Sequence, residues 1–228
     1  MNKLLLFLGL FTSGIAGFAQ SSLESIIRKS KSDSLEKKMD KWEKKSDHET
    51  EMIMKPMFSF IPGDSESYSG SIFGLSLGFN LNALTLSDQT TIKAGLAYTM
   101  QGGAYQSYQY EPGGNMGSYK AKVRLSYLQL PITVQHHVKE RWYAEAGIQT
   151  GLLLSARDHH SSGTDKIKDI YKPLDFGLIM GAGYKSPQKW GVGIQFNPGI
   201  SNINRKTGPY KNAKDRNAAL TLKLSYQL

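Results

Sequence analysis

The last eleven residues alternate without a break. Ala218, Leu220, Leu222, Leu224, Tyr226 and Leu228 take every second position, and Ala219, Thr221, Lys223, Ser225 and Gln227 fill the positions between. Successive side chains of an extended strand point to opposite faces, so this spacing predicts a strand with one face against an apolar medium and the other against water. A strand of about ten residues that alternates to its final residue has the length and pattern of one that crosses a membrane inside a closed barrel.

The same period recurs upstream. From residue 53 onward we count eight alternating segments, at 53–61, 71–82, 90–102, 124–138, 141–156, 173–185, 189–198 and 217–228. Eight is an even number and the smallest that closes a membrane barrel. The joints between them are 62–70, 83–89, 103–123, 139–140, 157–172, 186–188 and 199–216, and after the first two they alternate long and short. Outer-membrane barrels have short periplasmic turns and long outer loops, so with the N-terminal end in the periplasm every long joint falls outside. The fold class expected is therefore all-β: an eight-stranded antiparallel up-and-down transmembrane barrel.

The faces agree with that expectation. Trp190, Val192, Ile194 and Phe196 oppose Gly191, Gly193, Gln195 and Asn197, and Leu174, Phe176, Leu178 and Met180 oppose Asp175, Gly177, Ile179 and Gly181. Lys93, Gly95, Ala97 and Thr99 join the small and polar set, as do Glu145, Gly147, Gln149 and Gly151. A soluble lipocalin-like barrel has the reverse arrangement, with a greasy interior and a largely polar outer surface. Tyr and Trp favour the headgroup level of a membrane. Trp142, Tyr184, Trp190 and Tyr226 fall at the periplasmic strand ends and Phe73, Tyr98 and Phe176 at the opposite ends, which predicts two aromatic belts. A content of 39% hydrophobic residues resembles that of an ordinary soluble protein. A barrel with a wet interior gives the same average, because every second strand residue faces water.

The chain divides into three parts. Residues 1–19 carry Lys3, an apolar run from Leu4 to Phe11, then small residues up to Ala19, which reads as a secretory signal peptide. Residues 20–52 form a segment in which charges of both signs are dense and cancel, with a weak helical stripe of Leu23, Ile26, Ile27, Leu35, Met39 and Trp42. We expect a mobile or helical periplasmic segment there, with a periplasmic partner as its sharper reading. Residues 53–228 are the barrel domain. With no cysteine in the chain, there is neither a lipoprotein acylation site nor a disulfide framework.

Within the barrel, the sequences YLQLPITVQ from Tyr127 to Gln135 and WYAEAGIQTGLLL from Trp142 to Leu154 resemble the outer-membrane β-barrel family common in Bacteroidetes, the porin-family or PorT-like proteins. The segment DFGLIMGAGYK from Asp175, the closing strand and a leader ending in Phe-Ala-Gln are similar to that family too. The resemblance implies a fold and a place in the outer membrane of a Gram-negative bacterium. It implies no activity, and nothing in these residues carries over the role in protein secretion for which PorT is named.

Candidate functional residues follow from the register. Lys93, Glu145, Gln149, Asp175, Gln195 and Lys223 face inward, and charges in a narrow lumen must be paired or hydrated, so a polar network plugging the interior is expected. Inward glycines leave some room, which keeps a narrow porin open as an alternative. Pro131, inside a regular strand, predicts a bulge or a bend. His136 and His137 point to opposite strand faces and cannot chelate one ion; His159 and His160, beside Asp158 in a predicted loop, are weak metal candidates, and no metal or other cofactor is expected. The net charge is +9, of which Lys3 holds one and the segment 21–52 none. The joint 199–216 contributes +4 through Arg205, Lys206, Lys211, Lys214 and Arg216 against Asp215, a basic outer loop suited to lipopolysaccharide phosphates. No nucleophile and base stand at motif spacing, and no phosphate-cradling loop is present. The function expected is a structural or surface-interaction role, with outer-membrane lipid, lipopolysaccharide and the barrel assembly machinery as partners. A nucleic-acid role and an enzymatic one are not expected, and a soluble periplasmic lipocalin-like binder is the second alternative.

Overall fold

The computed structural model describes residues 49–64, 68–110, 116–161, 163–205 and 212–228. Its strands are β1 (Thr50–Phe60), β2 (Tyr68–Gly70), β3 (Ile72–Ser87), β4 (Thr90–Tyr110), β5 (Met116–His137), β6 (Trp142–His160), β7 (Gly163–Lys166), β8 (Leu174–Lys185), β9 (Trp190–Pro198) and β10 (Ala218–Gln227). A single 3₁₀ turn, Lys168–Ile170, is the one helical element among the described residues. The expected signal peptide and nearly all of the charged segment lie outside the described residues.

Eight strands close a ring. Around it, β1 pairs with β3, β3 with β4, β4 with β5, β5 with β6, β6 with β8, β8 with β9, β9 with β10 and β10 with β1, all antiparallel. The short β2 and β7 lie outside the ring, on β4 and β6. The fold is the all-β up-and-down barrel the alternation predicts, and closure leaves no ring strand with an unpaired edge at membrane depth.

The faces are those expected. Met52, Met54 and Phe58 of β1, Leu130, Ile132 and Val134 of β5, Val192 and Ile194 of β9 and Leu220 and Leu222 of β10 are exposed on the outside. Glu51, Lys55, Lys93, Gln135, Glu145, Gln195 and Lys223 are buried inside. Water would charge this outer surface a large free-energy cost, since buried apolar area is worth roughly 25 cal/mol per Å². The lipocalin-like alternative is overturned by this outward arrangement of bulky apolar groups.

Element boundaries depart from the expectation where local pattern gives way to pairing. β3 continues to Ser87, reducing the joint after it to Asp88 and Gln89. The joint 103–123 is for the most part strand, because β4 runs to Tyr110 and β5 starts at Met116, and β6 extends through the histidines to His160. These long strands pair with each other as far as Tyr110 and Met116, so cross-strand hydrogen bonds hold a stretch whose glycines and polar residues lack clean alternation. β1 begins at Thr50, three residues before 53, and so takes Glu51 out of the charged segment and into the barrel.

The bulge expected at Pro131 is corrected. The register does not shift there: Ala94 pairs with Ile132 and Ala97 with Gln129 in one register, with the β4 pairing interrupted between them, and Pro131 itself faces Gln149 on β6. The irregularity of this strand lies elsewhere, where the β5–β6 register shifts between Ser126 and Tyr127.

Candidate functional site: a plugged lumen and its outer rim

At the end bearing the short turns, the interior is ionic. Lys223 Nζ lies 2.9 Å from Glu145 Oε2, with both side chains essentially inaccessible at 1% and 0% exposure. Gln195 Nε2 donates to the other Glu145 oxygen at 2.6 Å. Lys93 Nζ donates to Glu51 Oε2 at 2.8 Å, and Lys185 stands 3.9 Å from Oε1 of the same carboxylate. The expected network of Lys93, Glu145 and Lys223 is therefore a Lys223–Glu145 pair and a Glu51 carboxylate shared by Lys93 and Lys185, and the partner of Lys93 is Glu51. Period-two spacing carried back from Met54 and Met52 places Glu51 on the inner face, which is the signal that could have found it.

Glycines shape this level. A Cβ on Gly183 would stand 2.4 Å from Tyr143 Oη, and one on Gly193 3.0 Å from it. The Tyr143 ring lies over these two residues, and Lys223 Nζ sits 5.4 Å from its centroid, a cation–π distance. Inward glycines thus make room for large neighbours.

Above this level the interior is polar and tightly hydrogen-bonded. Thr99 Oγ1 is 2.8 Å from both Ser76 Oγ and Gln129 Oε1. Asn197 Nδ2 donates to Gln149 Oε1 at 3.4 Å. Asp175 accepts from Asn217 Nδ2 at 2.7 Å and from Ser201 Oγ at 2.7 Å, and Asn217 also reaches Tyr127 Oη at 3.1 Å. A cavity of ≈ 10 Å³, room for about one water, is left here, lined by Lys55, Gln101, Gln129 and Gln149 among others. Lys55 is 7% exposed and forms no ion pair or hydrogen bond among the described residues.

The loop end of the lumen is apolar, which the inner-face pattern did not predict. Ile61, Val123, Leu125, Tyr127, Leu153, Ala156, Tyr171 and Ile203 form one buried cluster, with Tyr68, Tyr105, Ile167 and Ile170 packed on it. Tyr68 and Tyr171 hydroxyls meet at 2.7 Å, and Tyr105 Oη donates to Asp158 at 2.6 Å. Two of these residues, Tyr171 and Ile203, come from joints, so only the closed fold brings them over the mouth. The described ends of the joint 199–216 are held in place: Asp215 is fully buried and accepts from Asn204 Nδ2 at 2.8 Å, while Arg205 Nε donates to the Tyr171 carbonyl at 2.8 Å. Lys206 and Lys211 lie outside the described residues, and Lys214 and Arg216 are described in the segment that leads into β10.

On the outside, aromatic side chains pair across strands. Trp142 and Tyr184 rings meet edge to face at 5.4 Å, as do Trp190 and Tyr226, next to the short turns. Phe73 meets Phe58 edge to face at 6.4 Å towards the other end, and Phe176 is exposed near the start of β8. Tyr98 is exposed as well but stands well inside β4, between Leu77 and Leu128, because that strand continues to Tyr110. The histidines are engaged locally: His136 Nδ1 lies 2.9 Å from Thr90 Oγ1 and His159 Nδ1 2.9 Å from Thr164 Oγ1, with His159 and His160 in β6 where a loop was expected.

The model of the outer membrane protein beta-barrel domain family matches residues 53–205, from β1 to the joint before β10. No curated protein matches the chain in sequence. Among solved structures, Neisserial surface protein A is similar with a TM-score of 0.50 at 12% identity, covering 78% of this chain and 97% of that one. Ail, the attachment invasion locus protein of Yersinia pestis, aligns with a TM-score of 0.43 at 12% identity, over 79% of this chain and 99% of that one. Identity this low speaks for the fold alone. With a closed antiparallel ring, an apolar exterior, a filled interior and a family match over most of its length, this chain belongs to the outer membrane protein beta-barrel domain family.

Proposed function

We propose that this protein is a plugged barrel of the outer membrane that anchors structured outer loops at the cell surface, where its role is structural or adhesive, and that it does not pass solutes. The observation that carries the reading is the filling of the lumen from both ends: two ion pairs near the short turns and an apolar cluster under the loops. An eight-stranded barrel is about filled by its own side chains, and here the joints add Tyr171 and Ile203 to the plug. The narrow-porin reading needs a continuous wet path, against which stand the ion pairs at one end of the lumen and the apolar cluster at the other. The orientation follows the short-turn rule, with β3–β4, β5–β6 and β8–β9 turning in the periplasm. Within the family, the Tyr127–Gln135 and Trp142–Leu154 sequences favour the Bacteroidetes porin-family or PorT-like group. Export through the leader 1–19, insertion by the barrel assembly machinery and a periplasmic partner for residues 20–52 complete the proposal.

Planar-bilayer recording of the purified full-length protein tests it. The expected trace is silent at an applied voltage of either sign, with heat-modifiable gel migration of the same sample showing that the barrel is folded. Steady single-channel steps from that sample would overturn the plugged reading in favour of the porin.

A further inference from the structure

The strands β4, β5 and β6 are the longest, at 21, 22 and 19 residues against nine for β9 and ten for β10. About ten residues suffice to span the hydrocarbon. One wall of the barrel therefore rises well past the apolar band as a sheet, with β7 added to its edge. On the outward face of that sheet the side chains change character. Leu128, Leu130, Ile132 and Val134 of β5 are followed on the same face, towards the loop end, by Arg124, Lys122 and Lys120, all exposed. On β6, Leu152 and Leu154 are followed by Arg157 and His159.

Register puts these cations together. Arg124 pairs with Arg157, which pairs with Lys166 of β7, giving three cations side by side across three strands. In the next row, Lys122 pairs with His159. On the β4 side, the partners of Arg124 and Lys122 are Gly102 and Ala104, so no bulky side chain stands beside them. The acids of the same ribbon, Asp158 and Asp165, pair with each other on alternate positions and face the other way; Asp158 is held by Tyr105. Among the described residues, Lys120, Lys122, Arg124, Arg157 and Lys166 form no ion pair. Like charges directly opposite one another on adjacent strands repel, so this row favours bound anions.

We propose that this face of β5, β6 and β7 is a binding site for the phosphate groups of anionic lipid in the outer leaflet. Arg124 stands about 13 Å along the strand from Leu128, less in height because barrel strands tilt, which is headgroup level for a lipid touching the leucines. Guanidinium groups bind phosphate oxygens in bidentate fashion, and the long stems of Lys and Arg lie along apolar surface while their charges stay wet. The inference rests on the proposed orientation, and it adds a phosphate site on the tall wall to the basic joint 199–216. In that joint Arg205 is held by a backbone carbonyl and Asp215 is buried.

The test titrates the full-length folded protein in a zwitterionic detergent with diphosphoryl lipid A, counting bound lipid by native mass spectrometry. A variant carrying Lys122→Ala, Arg124→Ala, Arg157→Ala and Lys166→Ala should bind at least about 100-fold more weakly, since each cation near a charged lipid surface contributes roughly fivefold. Lys139→Ala, at the opposite rim, should bind as the parent does, and both variants should keep heat-modifiable migration. Equal binding by the fourfold variant would overturn the site, as would equally tight binding of dephosphorylated lipid A. A soluble polyphosphate that binds as tightly as the lipid would overturn the lipid as its source. Conductance of the parent protein would sink the plugged-barrel reading and leave these binding results standing, so the two failures are distinct.

Discussion

The Glu145–Lys223 pair is where the plugged lumen can be weighed most directly. Glu145→Gln keeps the shape of the side chain and leaves the Lys223 ammonium, 1% exposed, without its carboxylate. Removing one partner of a buried ion pair costs about 3–5 kcal/mol, because the other charge stays desolvated. Lys223→Met should fall at about 3 kcal/mol, the lower end of the same range, since Gln195 still donates to Glu145 at 2.6 Å. Glu145→Gln combined with Lys223→Met removes both charges and should return to within about 1 kcal/mol of the parent, because replacing a whole buried pair is often close to neutral. The assay is equilibrium urea unfolding in phosphatidylcholine vesicles, followed by tryptophan fluorescence, to which the outward-facing Trp142 and Trp190 contribute. The double-mutant cycle should give a coupling of at least about 3 kcal/mol. If both single variants cost less than about 1 kcal/mol, or if the double variant costs their sum, the lumen is wet enough to solvate these charges and the plug argument fails.

Two further perturbations probe the two faces of the wall. Lys55→Met replaces a buried ammonium that has no ion-pair partner among the described residues with an uncharged chain of similar length, and should raise the urea midpoint by the equivalent of about 1–3 kcal/mol; a lower midpoint would mean that the charge is compensated inside the barrel. Ile194→Arg, on an outward side chain that is 63% exposed, should cost about 2–4 kcal/mol in vesicles, and a neutral outcome would place that face in water.

Much of the molecule was legible in the order of its letters. Strand number, antiparallel neighbours, the greasy outer face and the inward set of Lys93, Glu145, Gln195 and Lys223 all follow from period two, because alternation is a local property that the backbone imposes on any strand between two media. Strand ends were less legible. Gly103, Ala104 and the polar residues around them break the alternation, so 103–123 reads as loop although the ladder continues to Tyr110 and Met116.

The partners of the lumen charges depend on register and closure, which no single strand contains. Glu51 meets Lys93 and Glu145 meets Lys223 across a lumen whose width and shear come from the whole ring. The apolar cap is of the same kind, since Tyr171 and Ile203 lie in joints with no periodic pattern and acquire a shared position only when the wall beneath them closes. The row of Arg124, Arg157 and Lys166 likewise belongs to three strands at once. The sequence by itself determined which side of each strand meets lipid, because solvent preference is written residue by residue. Tertiary structure alone decided which charges pair, what caps the lumen and where cations gather on the rim, because those depend on distances between segments far apart in the chain.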